Sequence, residues 1–136
     1  MGVFVYFEFC VLGRPHSAQG GARGVRNWKA KVRASALAQW PAGNPPDAGH
    51  IEIAIDYYAL GEGPDVDNII KPIQDALIGV AFVDDAQVAK TGCERRDLDG
   101  HFRVRGMAPV LAEAFSTGEE FVHVRLTTWT DDGRLR

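Results

Sequence analysis

Five aspartates and one lysine in this 136-residue chain have the types and spacing to do chemistry together. Asp65 and Asp67 are two residues apart, Lys71 follows Asp67 by four, and Asp75 follows Lys71 by four. In an extended segment, residues i and i+2 project to the same side, so Asp65 and Asp67 would form a pair. Pro72 is tolerated only in the first turn of a helix, which predicts a helix starting near Ile69 with Asp67 or Asn68 as its N-cap. The two carboxylates would then stand at the positive end of a helix dipole, which keeps them ionised. Lys71 and Asp75 share one helix face, so Lys71 can lie beside the pair. Asp84-Asp85 is a second acidic cluster, placed after the apolar run Val80 to Val83. Successive residues of a strand face opposite ways, so one of these two can complete a site. A hard divalent cation such as Mg²⁺ is held by one or two carboxylates with open water positions. A neighbouring lysine stabilises charge developing on a phosphate, and the combination suits metal-assisted phosphodiester hydrolysis. The same spacing also fits an ordinary Asp cap followed by a helix-face ion pair, with Asp84-Asp85 as a solvated turn.

The elements that must position these residues follow from periodicity. Val3 to Val11 is rich in aromatic and β-branched residues and predicts a strand, ended by Gly13-Arg14-Pro15. Residues 13–24 carry four glycines and predict a mobile loop. Val25, Trp28, Val32, Ala36 and Trp40 recur at spacings of three and four, which predicts a helix over Val25 to Trp40 with a buried apolar stripe. Arg26, Lys29 and Arg33 lie on another face of it. His50 to Leu60 alternates as a strand, and Ile69 to Ile78 has helical spacing. Val88 to Arg95 and His101 to Arg105 read as a hairpin around Asp97-Leu98-Asp99-Gly100. Pro109 to Phe115 fits a short helix and Phe121 to Trp129 a last strand. The expectation is one α+β domain over 1–130, a mixed sheet of about four to five strands with two main helices, and a fraying tail over 131–136.

Composition narrows the function classes. Hydrophobic residues are 46% and charged residues 24% of the chain, near the globular average, which excludes a disordered acidic tail or a fibre. No apolar run is long enough to span a bilayer, and the N-terminus lacks the pattern of a signal peptide, so a cytoplasmic protein is expected. Cys10 and Cys93 are too few for a disulfide scaffold and read as small buried hydrophobes. The net charge of −3 hides an asymmetry: between Phe9 and Pro46 there are six basic residues and no acid. That segment holds Arg14, Arg23, Arg26, Lys29, Lys31 and Arg33 and suggests an anion-binding surface, the alternative being a solvated basic helix face. Trp28 and Trp40 are expected in the core, the four histidines are read as non-catalytic, and Arg95 and Arg96 as a solvated hairpin end.

Asp65-Val66-Asp67-Asn68-Ile69-Ile70-Lys71, then Asp75-Ala76-Leu77, then Asp84-Asp85-Ala86-Gln87-Val88, resembles the signature of the RusA family. Gly13-Arg14-Pro15 and Trp28-Lys29 are more loosely similar to its N-terminal part. That family comprises phage and prophage endonucleases that resolve four-way DNA junctions. The resemblance implies a compact α+β fold, a homodimer, branched DNA as substrate and a bacterial or phage origin. It implies Asp65, Asp67 and Asp85 as Mg²⁺-binding carboxylates, with Mn²⁺ able to substitute, and Lys71 as the catalytic lysine. Asn68, Asp75 and Asp84 would support them. Arg14, Arg23, Arg26, Lys29 and Arg33 would then contact the DNA backbone, since phosphate neutralisation dominates nucleic-acid affinity. The alternative is a non-catalytic nucleic-acid-binding module that retains the acidic site.

Overall fold

Alternating apolar residues build four strands whose inward side chains meet two helices. The structure is a computed structural model that describes residues 5–99 and 107–129. Strands β1 (Val5–Leu12), β2 (Ile51–Ala59), β3 (Val88–Asp97) and β4 (Phe121–Thr128) form one mixed sheet in the order β1-β4-β2-β3. β4 pairs antiparallel with β1 and β2, and β3 runs parallel to β2. The parallel pair needs a crossover. Helix α2 (Ile70–Leu77) lies within it, which places the whole acidic motif between β2 and β3. Helices α1 (Ala22–Gln39) and α3 (Pro109–Ser116) complete the fold, which is α+β as expected.

The principal core lies between one sheet face and the helices α1 and α2. Phe9, Val11, Ile51, Ile53, Ile55, Tyr57, Val124 and Leu126 are buried there against Trp28, Val32, Ala36, Ile69, Ile73 and Leu77. The other face carries a smaller cluster of Tyr58, Phe121 and Ala114, covered by Leu111 and Phe115 of α3. Beside it runs a polar layer. Asp56, 4% exposed, accepts from Arg125 at 2.7 Å and Arg96 at 3.1 Å, and His123 meets Glu8 at 2.8 Å. A buried carboxylate left without such partners would be strongly destabilising.

Several expectations need correction. α1 begins at Ala22, three residues earlier than the apolar stripe indicates, because Val25 N–H already bonds the Gly21 carbonyl at 3.1 Å. The predicted loop is shorter by that amount. Val88 to Arg95 is a strand, but β2 is its described partner, and its hairpin arm at 101–105 lies outside the described residues, as does the tail 131–136. The short helix expected over Pro109 to Phe115 is present as α3, beside the two main helices α1 and α2. Trp28 is buried as expected, whereas Trp40 is half-buried at the end of α1, edge-on to Phe7 at 4.7 Å. Arg96 is tied to Asp56, and Arg95 donates to the Gly61 carbonyl, so neither is a merely solvated end.

Candidate active site

Asp65 is extended (φ −67°, ψ 146°), and the chain then turns at once into a 3₁₀ turn over Val66–Asn68. Asn68 N–H bonds the Asp65 carbonyl at 3.0 Å, and Ile69 N–H bonds the Val66 carbonyl at 3.3 Å. The extended pair expected for Asp65 to Asp67 is therefore not formed. Neither Asp67 nor Asn68 caps α2: its N-cap is Ile69, which has no side-chain cap. The reason is local, because backbone turn bonds close this entry to the helix without a side chain. Asp65 and Asp67 are consequently exposed, and among the described residues neither carboxylate has a side-chain hydrogen bond or an ion pair. Pro72 sits in the first turn of α2, where its missing N–H has no intrahelical role.

Lys71, on the same turn, gathers two of the other aspartates. Its Nζ lies 3.0 Å from Asp75 Oδ1 and 3.2 Å from Asp85 Oδ2. Hydrogen bonds that it donates to Asp75 and then Asp85 hold the ammonium pKa above the ordinary lysine value, so it stays charged throughout the neutral range. Asp85 comes from the 3₁₀ turn Asp85–Gln87 that leads into β3. Its second oxygen, Oδ1, is buried and has no hydrogen-bond donor among the described residues. Asp84 points elsewhere and forms a capping box with Gln87, as expected if only one of the two joins the site. The Asp-x-x-Gln spacing was the available sequence signal for that box.

The loop before Asp65 is held by residues that the sequence reading did not connect. Tyr57 donates its hydroxyl to Glu120 Oε1 at 2.6 Å, and Arg14 Nη2 bonds Glu120 Oε2 at 2.6 Å and the Leu60 carbonyl at 3.0 Å. Gly63 passes against the Tyr57 hydroxyl so closely that a Cβ there would collide with it. Nothing in the local pattern links Arg14, Tyr57 and Glu120, which stand on three different segments. The Arg14 hydrogen bond, chiefly, holds the Glu120 carboxyl below its ordinary value of 4.5. The ionised form is thus favoured by folding, so this contribution is present above the ordinary value and lost as pH falls through the lower folded one. Thermal melts from pH 6 to pH 3 should show a shallower acid loss for Glu120→Gln than for the parent protein.

The basic segment lies against the acidic turn. Ala18 N–H bonds the Asn68 carbonyl at 2.8 Å, and Arg33 donates to the Ile78 carbonyl at 2.9 Å at the far end of α2. α1 and α2 therefore run side by side in the same direction, with both positive helix ends toward Asp67. Arg23 and Arg26 are exposed and Lys29 half-exposed, and among the described residues none of the three has an ion-pair partner. Arg14 and Arg33 use their guanidinium groups within the protein. Both thiols are free, and burial pushes each up to about 12.

The family model described as Endodeoxyribonuclease RusA matches residues 20–105, from the loop before α1 to beyond β3. The chain belongs to the RusA family. It is accordingly an endodeoxyribonuclease of the class that resolves Holliday junctions and acts on branched DNA. RusA nucleases generally depend on a divalent metal. Every residue from Asp65 to Gln87 falls inside the RusA match, whereas Arg14 and Glu120 fall outside it. No curated protein matches the chain. Among the described residues, no group of three or more His, Cys, Asp or Glu stands ready to hold a metal ion, and no helix is long and apolar enough to cross a membrane.

Proposed function

We propose that the chain is a Mg²⁺-dependent endonuclease that cuts four-way junctions during DNA recombination and repair. The observation that carries this reading is Lys71, bridged to Asp75 and Asp85 beside the exposed turn of Asp65 and Asp67. The donor set fits a hard cation. It consists of three carboxylates: among the described residues Asp65 and Asp67 are exposed and unpartnered, and Asp85 Oδ1 is buried without a donor. Mg²⁺ is commonly held by one or two carboxylates together with water and substrate phosphate, so a preformed three-ligand cluster is not required. Asp65, Asp67 and Asp85 would hold the ion, and Mn²⁺ accepts the same oxygen donors. A bound divalent ion supplies a polarised phosphate oxygen and a more acidic water.

The side chains supply the remainder. Asp75 and Asp85 gather the Lys71 ammonium between them, so its charge stands beside Asp85 before substrate arrives. Asn68 carries the carbonyl that docks the glycine-rich loop, and Asp84 shapes the turn that presents Asp85. Arg23, Arg26 and Lys29 would contact DNA phosphates, with Arg14 and Arg33 adding positive charge. A homodimer is expected, because two-fold symmetry lets two sites cut two symmetric strands. We read residues 1–130 as one domain, working in the cytoplasm of a bacterium or phage host.

The direct test is cleavage of a synthetic four-way junction against its matched linear duplex, with and without Mg²⁺. Metal-dependent cutting of the junction alone is expected. A folded protein that binds the junction without cutting it would establish the binding module instead. The DNA surface has its own test: neutralising Arg26 and Lys29 together should weaken binding to all junction sequences alike and lower the salt slope by about two. An unchanged slope would move the DNA surface elsewhere.

A further inference from the structure

Gln87 makes more of its side chain than any other amide near the site. Its Oε1 accepts from the Val83 N–H at 2.7 Å and the Asp84 N–H at 3.0 Å. Its Nε2 donates to the Asp47 carbonyl at 2.7 Å and the Gly49 carbonyl at 2.8 Å. One side chain thus joins two backbone segments that are about 35 residues apart in sequence. The first is the Val83-Asp84 approach to Asp85, and the second is the 47–49 turn that leads into β2. A further backbone bond, Asp47 N–H to the Ala81 carbonyl at 2.8 Å, fixes the same turn to the apolar run before Val83. Asp84 completes the arrangement through the capping box.

A side chain of an ordinary solvated turn has no need of four backbone partners. Here they fix the path of residues 83–87, and that path sets where Asp85 stands relative to Lys71. Asp85 is only half enclosed, and its Lys71 contact is solvent-exposed, so those contacts alone are weak anchors. The rigid frame comes from Gln87. We propose that Gln87 is a positioning residue that holds Asp85 in place to receive the divalent ion. The inference rests on the metal site proposed above. Residues supporting a metal ligand from behind typically change metal affinity or activity by about 10- to 100-fold when replaced.

The test uses the full chain and Mg²⁺ itself as the probe. Gln87→Met keeps the length of the side chain and removes all four hydrogen bonds. Calorimetric titration of the DNA-free protein should show Mg²⁺ binding weakened about tenfold or more. The Mg²⁺ needed for half-maximal junction cleavage should rise in parallel, with the KM for the junction within about twofold of the parent value. Thr91→Val removes a different hydrogen bond, Thr91 Oγ1 to Gln74 Oε1 at 2.6 Å, and serves as a purely structural control with unchanged Mg²⁺ affinity. If Gln87→Met fails to fold, Gln87→Asn reads the same quantity, because it keeps the amide but is one methylene too short to bridge both segments. Folded Gln87 variants that bind Mg²⁺ like the parent, while Asp85→Asn does not, would overturn the positioning role and leave the metal site standing. Asp85→Asn that binds Mg²⁺ and cuts like the parent would overturn both.

Discussion

Replacing Lys71 with methionine should lower kcat by about 10²- to 10³-fold, the loss seen when one preorganised electrostatic group is removed from a transition state. The Lys71 side chain is 62% exposed and its two ion pairs are at the surface. Such exposed pairs add little to stability, so the variant should melt close to the parent. Junction affinity should fall only modestly, because one exposed cation among several is lost. The effect should therefore appear in kcat rather than KM. Asp75 and Asp85 raise the pKa of this lysine, so it is protonated at neutral pH and is not available as a general base. Cleavage should accordingly show no alkaline loss attributable to Lys71 until pH exceeds the ordinary lysine value of 10.5. Lys71→Arg keeps the charge but replaces a compact ammonium with a planar fork, and should recover part of the rate. Unchanged kcat in folded Lys71→Met would remove the lysine from the chemistry.

Asp67→Asn should abolish cleavage, by on the order of 10³-fold or more, while junction binding survives. The carboxylate is exposed and, among the described residues, without a side-chain partner, so folding does not depend on it. The expected change in stability is within about 0.5 kcal/mol, as for an ordinary surface substitution. Removing a negative charge that faces phosphate should leave metal-free junction binding equal or slightly tighter. A gel-shift titration in EDTA beside a cleavage time course in Mg²⁺ separates the two effects. Loss of cutting with binding retained assigns Asp67 to the chemistry. Cutting at the parental rate would return it to the role of a turn residue.

The local chemistry was legible because it is encoded at short range. Asp65, Asp67, Lys71 and Asp75 lie within eleven consecutive residues, and the four-residue step from Lys71 to Asp75 is one helical turn, so their ion pair follows from the period. Pro72 marked the start of α2 almost to the residue. The form of the acidic turn was not legible in the same way. An extended Asp65-Val66-Asp67 and a 3₁₀ turn differ by two backbone hydrogen bonds, and no residue in the stretch forbids either. The end of the glycine-rich loop was similarly open, since glycines tolerate both a loop and the first turn of a helix.

Residue order alone was enough for the alternating strands, the amphipathic α1 and the set of carboxylates with their lysine. Each of these depends on residue type and near-neighbour spacing, which the chain states directly. It took the three-dimensional fold to decide which of Asp84 and Asp85 meets Lys71, that Arg14 and Tyr57 both donate to Glu120, and that Gln87 ties residues 83–84 to 47–49. Those partners are separated by 14 to 106 positions. Their meeting depends on the parallel β2–β3 crossover and on β4 inserting between β1 and β2, and side-chain periodicity carries no information about either.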